Sequence, residues 1–101
     1  MYIRLLNFQT HSNKKAEVTN IMNDIIPKIK ARDARECIFI SHEIDDHYAL
    51  LVYWENKEKA DAAADIIGPQ LLPALNRITT ESVVPRLYKV ERSEEMAMQQ
   101  N

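Results

Sequence analysis

The stretch His47-Tyr48-Ala49-Leu50-Leu51-Val52-Tyr53-Trp54 decides the fold. From Tyr48 to Trp54 the only polar side-chain groups outside the indole are two tyrosine hydroxyls, and a strand tolerates that composition only when both of its faces are covered. The segment is therefore expected at the centre of a sheet. Upstream, Cys37-Ile38-Phe39-Ile40-Ser41-His42-Glu43 is rich in β-formers and leads through Asp45-Asp46 into it, so the two segments read as a hairpin.

Toward the N-terminus, residues 2 to 9 carry apolar side chains on both alternating faces (Tyr2, Leu6 and Phe8 against Ile3 and Leu5), interrupted by Arg4 and Asn7. This is a second strand covered on both sides. Thr10, His11, Ser12 and Asn13 offer a helix N-cap, and Val18, Ile21, Met22, Ile25 and Ile29 follow at helical spacing, which predicts a helix over about 13 to 31. Pro27 removes the amide that would bond back toward Asn23, so a kink or a separate last turn is expected there.

Toward the C-terminus, Glu55-Asn56 opens a helix over about 57 to 67, with Ala60, Ala63, Ala64 and Ile67 as a small-residue stripe permitting close approach to the sheet. Gly68 suits its C-cap, and Pro69 the first turn of a further short helix through about Arg77, with Leu71, Leu72 and Leu75 apolar. The last strand is expected over about 82 to 90, with Pro85 at an edge or bulge.

The order β-α-β-β-α-(α)-β is the α+β, ferredoxin-like split arrangement: a four-stranded antiparallel sheet with its first and third strands central and its second and fourth at the edges. One domain is expected over 1–91, with 92–101, including Met96 and Met98, as a mobile tail. Helices on one face leave the other uncovered, and on this reading Leu6, Phe8 and one side of 48 to 54 would meet water. A second copy packing sheet to sheet is the simplest cover, and so short a chain gains proportionally from it. A homodimer is expected.

Composition removes several functions. The chain has 101 residues, 46% hydrophobic and 28% charged, as in one compact soluble domain. Its single glycine excludes the glycine-rich cradles that bind phosphate in P-loop and dinucleotide-binding proteins. Lone Cys37 forms neither an intrachain disulfide nor a multi-cysteine zinc site, so the reducing cytoplasm is the expected compartment. Thirteen basic against fifteen acidic residues make a formal net charge of −2, without the basic field that selects nucleic acid. No segment reads as a secretory leader or approaches a membrane span.

Three stretches carry a family resemblance: the first strand ending near Asn7-Phe8; Ile25-Ile26-Pro27-Lys28-Ile29; and Val52-Tyr53-Trp54-Glu55-Asn56-Lys57-Glu58-Lys59-Ala60-Asp61. Over about residues 2 to 90 the chain resembles the antibiotic biosynthesis monooxygenase-like (ABM) domains of the dimeric α+β barrel superfamily. The last stretch is similar to that family's strand-end tryptophan, acid, short polar residue and alanine-containing helix. The resemblance implies a site between helices and one sheet face within each subunit, for oxygenases that work without metal, flavin or haem on electron-rich aromatic substrates. The haem-degrading branch uses an asparagine, a tryptophan and a histidine. Asn7 matches the first, but the other two positions fall near Ala63 and Pro73, which disfavours haem degradation.

The candidate catalytic residues are Asn7 and His42. Asn7 shares a strand face with Ile3 and Leu5, where an amide needs a partner or a ligand; the plainer reading is an amide satisfied by backbone or water. His42 and His47 flank the acidic hairpin, and His11 precedes the first helix at the mouth of a possible cleft. Histidine exchanges protons most readily near neutral pH, so all three are possible bases. The hairpin lacks the spacing of a helical ligand pair, and no metal is expected. Candidate substrate-binding residues are Trp54, Tyr48, Arg86 and His11. Trp54 and Tyr48 read first as packing aromatics. Arg4 and Arg86, on adjacent strands, either pair with carboxylates or bind an anionic substrate. Asp61 and Asp65 are expected on a solvated helix face, and no basic cluster activates Cys37.

Two functions remain. One is a cofactor-independent monooxygenase-like homodimer holding a small hydrophobic or aromatic molecule between sheet and helices. The other is a noncatalytic homodimer that binds a metabolite or a protein. The sequence offers a structural discriminator: an enclosed pocket where Asn7 and a histidine converge favours the enzyme.

Overall fold

The computed structural model describes residues 1–96. Its elements are β1 (Tyr2–Gln9), α1 (Lys15–Lys30), β2 (Glu36–Ser41), β3 (His47–Trp54), α2 (Lys57–Asn76) and β4 (Arg86–Lys89). All four strands pair antiparallel in the order β2-β3-β1-β4, so the apolar segments β3 and β1 are central and the hairpin forms as expected. This is the expected α+β ferredoxin-like arrangement. Residues 91–96 carry no helix or strand, and 97–101, with Met98, lie outside the described residues.

The helices meet the sheet through one face of each strand. On β1 that face is Arg4, Leu6 and Phe8, and on β3 it is Tyr48, Leu50, Val52 and Trp54. Leu6 and Phe8 are buried there, which corrects the expectation that they face water. The uncovered face instead carries rows of directly paired residues: Ile38, Leu51, Leu5 and Arg86, flanked by Glu36, Tyr53, Ile3 and Tyr88 on one side and Ile40, Ala49 and Asn7 on the other. Both faces of β1 are apolar in sequence, so alternation alone does not say which one the helices take.

The expectations of a separate last turn at Pro27 and of a helix boundary at Gly68-Pro69 are corrected. α1 runs through Pro27 without a break, and α2 is one helix containing Gly68, Pro69 and Pro73. All three prolines are exposed, as are the residues four earlier at Asn23, Asp65 and Pro69. The carbonyls that lose a donor therefore lie on the solvent side, where water replaces the missing bond. Meanwhile the buried stripe Ala60, Ala63, Ile67, Leu71 and Leu75 continues in phase through Gly68, which has no positive φ and caps nothing. Packing along this stripe outweighs two helix-breaking residues.

The helix starts differ from one another. α1 begins at Lys15 after Lys14, without a side-chain cap, because the chain turns through Asn13 at φ 65°. α2 has the expected cap: the Asn56 Oδ1 accepts from the Lys59 amide at 2.9 Å. Asn56→Ala should therefore lower stability by about 1 kcal/mol, read from the midpoint of urea unfolding; an unchanged midpoint would mean that solvent satisfies the amide equally well.

β4 begins only at Arg86, so Pro85 precedes the strand rather than interrupting it. Before it, the chain rejoins the far end of β1: the His11 amide donates to the Ile78 carbonyl and the Thr80 amide to the Gln9 carbonyl, both at 2.9 Å.

Candidate functional site

The space beneath α2 is built from what the sheet and the helix fail to fill. Its floor is Leu6, Leu50, Val52 and Trp54, and its wall is Ala60, Ala63, Ala64, Ile67 and Gly68, closed by Ile29, Leu71 and Leu72. The small side chains of α2 leave room here instead of drawing helix and sheet into contact. A Cβ placed on Gly68 would meet nothing within 4 Å. About 60 Å³ of the cavity is open to the centre of a water molecule. One water needs roughly 10–15 Å³ of such space, so a ligand about the size of one aromatic ring fits.

Two lining residues carry polar groups, Trp54 and Arg4, but the surface they turn to the cavity is apolar. Trp54 is 3% exposed, and its Nε1 is buried with no hydrogen-bond partner among the described residues. An indole N–H only donates, and leaving it unpaired in an apolar site costs about 1–3 kcal/mol. Arg4 reaches the same cavity from β1 and donates from Nη2 to the Asp61 Oδ1 at 3.4 Å and to the Ala60 carbonyl at 3.5 Å. Asp61 also accepts from the Lys57 Nζ at 2.6 Å. That hydrogen bond holds the Asp61 carboxyl below its ordinary pKa, against the opposing effect of desolvation and with Arg4 assisting. Asp61 is thus tied into a charge network, not merely solvated.

The other candidate residues lie elsewhere. Asn7 is exposed on the uncovered sheet face, opposite Ala49. It borders a shallow groove with His42, His47 and Tyr48, and a second, polar groove with His47, Thr80, Glu81 and Ser82. Asn7 and His42 therefore come together, but on the opposite side of the sheet from the cavity. The reason is the face β1 turns to the helices, which puts every odd-numbered side chain of that strand outside. His42 also holds the hairpin turn: its Nδ1 accepts from the Ile44 and Asp45 amides, both at 3.2 Å. Tyr48 is buried in an aromatic row, its ring centroid 5.6 Å from Phe8 and 5.8 Å from Phe39. Arg86 is exposed beside Leu5 on the uncovered face, and His11 is exposed in the loop after β1.

Of the six candidates only Trp54 lines the cavity. Arg4 was legible as an anion partner; its convergence with Trp54 follows from their shared face. Cys37 is half-buried, and desolvation raises its thiol pKa, the opposite of activation. Among the described residues no group of three or more His, Cys, Asp or Glu side chains is placed to hold a metal ion, and no helix is long and apolar enough to cross a membrane.

No family model matches the sequence, and no curated protein matches it either. Solved structures do. An antibiotic biosynthesis monooxygenase superposes with a TM-score of 0.77 over 91% of this chain and 100% of its own, at 12% identity. The chain has that fold. Rv0793 from Mycobacterium tuberculosis gives a TM-score of 0.76 over 93% and 98% of the two chains, at 11% identity. SnoaB, a cofactor-independent oxygenase from Streptomyces nogalater, gives 0.73 over 91% and 95%, at 14% identity. The ABM-like architecture thus extends over nearly the whole chain.

Proposed function

We propose that the chain is a homodimeric, cofactor-independent monooxygenase-like protein that binds a small hydrophobic or aromatic molecule in the cavity between sheet and α2. The observation that carries this is the ring-sized space between sheet and α2, lined almost wholly by apolar atoms with Trp54 in its floor.

In the reaction we assign, a methylene carbon of the substrate loses a proton and the resulting carbanion delivers electrons to dioxygen. A carbon–oxygen bond forms, and the peroxide loses water to leave a carbonyl. One substrate and one dioxygen give one carbonyl product and one water, so no outside reductant enters. No histidine among the described residues borders the cavity, which restricts turnover to methylene substrates acidic enough to ionise within it, such as anthrones. The same feature favours a second reading, a noncatalytic homodimer that binds a metabolite or another protein.

Oxygen uptake with quinol and anthrone-type compounds tests the first reading, and Gly68→Leu supplies the control. Leucine is a good helix former, and its side chain would grow into the open space at Gly68, so folding persists while uptake falls at least about tenfold. Uptake unaffected by Gly68→Leu would place the reaction outside the cavity. No uptake across the panel would remove the oxygenase reading and leave the binding one.

A further inference from the structure

Of the residues that line the cavity, only Arg4, Ala64, Gly68, Leu72 and Pro85 keep partial contact with solvent; the others are buried. The mouth therefore lies among these five. Ala64, Gly68 and Leu72 stand four residues apart in one row along α2, and the same three border an open groove with the next row, Asp65, Pro69 and Pro73. Cavity and groove are thus continuous across the flank of α2, with no side chain at Gly68 to divide them. About 490 Å³ of the groove is open to the centre of a water molecule, against about 60 Å³ of the cavity. A ligand longer than one ring has to lay its remainder in the groove.

The two halves differ in chemistry. The cavity turns an apolar surface to its contents, so a hydroxyl placed there would lose its water without gaining a partner. In the groove the polar groups only accept. Pro69 and Pro73 have no amide hydrogen, so the carbonyls of Asp65 and Pro69 lose the donor that lies four residues on in a helix. The Gln70 side-chain amide, on the same stretch, donates to the Ile66 carbonyl at 3.2 Å instead. The Asp65 carboxylate is a further acceptor, and none of the six groove side chains carries an N–H or O–H donor. We propose that the site has an outer half on this flank and takes a hydroxylated aromatic of two or more fused rings, with an unsubstituted ring in the cavity and phenolic hydroxyls donating to the Asp65 and Pro69 carbonyls. The inference rests on the cavity being a ligand site and goes beyond it by assigning the length of the occupant and the place of its polar groups. In the alternative the two carbonyls hold only water and the ligand ends at the mouth.

Trp54, in the cavity floor, is the only tryptophan, so its indole N–H gives a single resonance in a nitrogen–proton correlation spectrum and reports on the cavity without ambiguity. Titrating the full chain with naphthalene and with 2,3-dihydroxynaphthalene separates the two halves. A site made of the cavity alone favours naphthalene, the more apolar of the pair. With the outer half in place the order reverses, and the diol should bind at least about fivefold more tightly. Pro69→Ala combined with Pro73→Ala returns an amide donor to each carbonyl and suits the helix better, so the fold persists and the margin of the diol should vanish. A diol that binds no more tightly than naphthalene, or a margin that survives the double substitution, would overturn the outer half and leave the cavity as a ligand site. If neither compound moves the Trp54 resonance, the cavity reading falls and this inference falls with it.

Discussion

Leu50→Ala is expected to cost about 3–5 kcal/mol of folding stability, at the upper end for truncating a buried leucine. Leu50 is 0% exposed and stands in the middle of β3, a central strand, facing the helices. It also forms part of the cavity floor. The cost of such a truncation grows with the empty volume left behind, and here the new void joins space that the fold already fails to close. Collapse would require α2 to move toward the sheet, and Ala60 and Ala63 offer little side chain to follow. Domains of this size are stable by only about 5–15 kcal/mol, so the variant should show a much lower urea midpoint at an unchanged slope. A loss below about 1 kcal/mol would show that neighbouring side chains refill the site.

How far the sequence could be read depended on whether a feature was continuous or binary. β3 was legible because a run without charged side chains has one stable place, between two other strands, and that placement ordered the sheet. The face of β1 was not legible. Ile3 and Leu5 match Leu6 and Phe8 in apolar character, and the contact that distinguishes them joins Arg4 to Ala60 and Asp61, more than fifty residues away. A one-residue change of parity moves every side chain to the other face, so Asn7 left the cavity and Arg4 entered it. In α2 two signals conflicted. Gly68-Pro69 reads as a boundary, whereas Ile67, Leu71 and Leu75 keep helical phase across it, and the phase prevailed because the freed carbonyls reach water. The cavity was the least legible feature. A stripe of small residues is compatible with close packing or with a gap, and the outcome depends on how near the surrounding larger side chains bring the two surfaces.

Leu51→Glu is expected to convert the proposed homodimer to a monomer. Leu51 lies at the middle of the uncovered sheet face, paired with Ile38 on one side and Leu5 on the other, with Tyr53, Ile40 and Tyr88 nearby. Tyr88 is 49% and Ile40 50% exposed in the single chain. Such a face, with charges only at its margins in Glu36 and Arg86, is costly to leave in water and suited to a second copy. In an interface with two-fold symmetry each substitution appears twice, so a carboxylate at its centre brings two charges out of water with no partner opposite. Each carries a penalty of several kcal/mol, and a total of even about 4 kcal/mol weakens association a thousandfold. The fold itself should persist, because the helix-facing core of Leu50, Val52 and Trp54 is untouched; circular dichroism would verify this alongside sedimentation. A wild-type chain that sediments as a monomer at micromolar concentration would refute the homodimer. A Leu51→Glu variant that remains a dimer would place the contact on another surface.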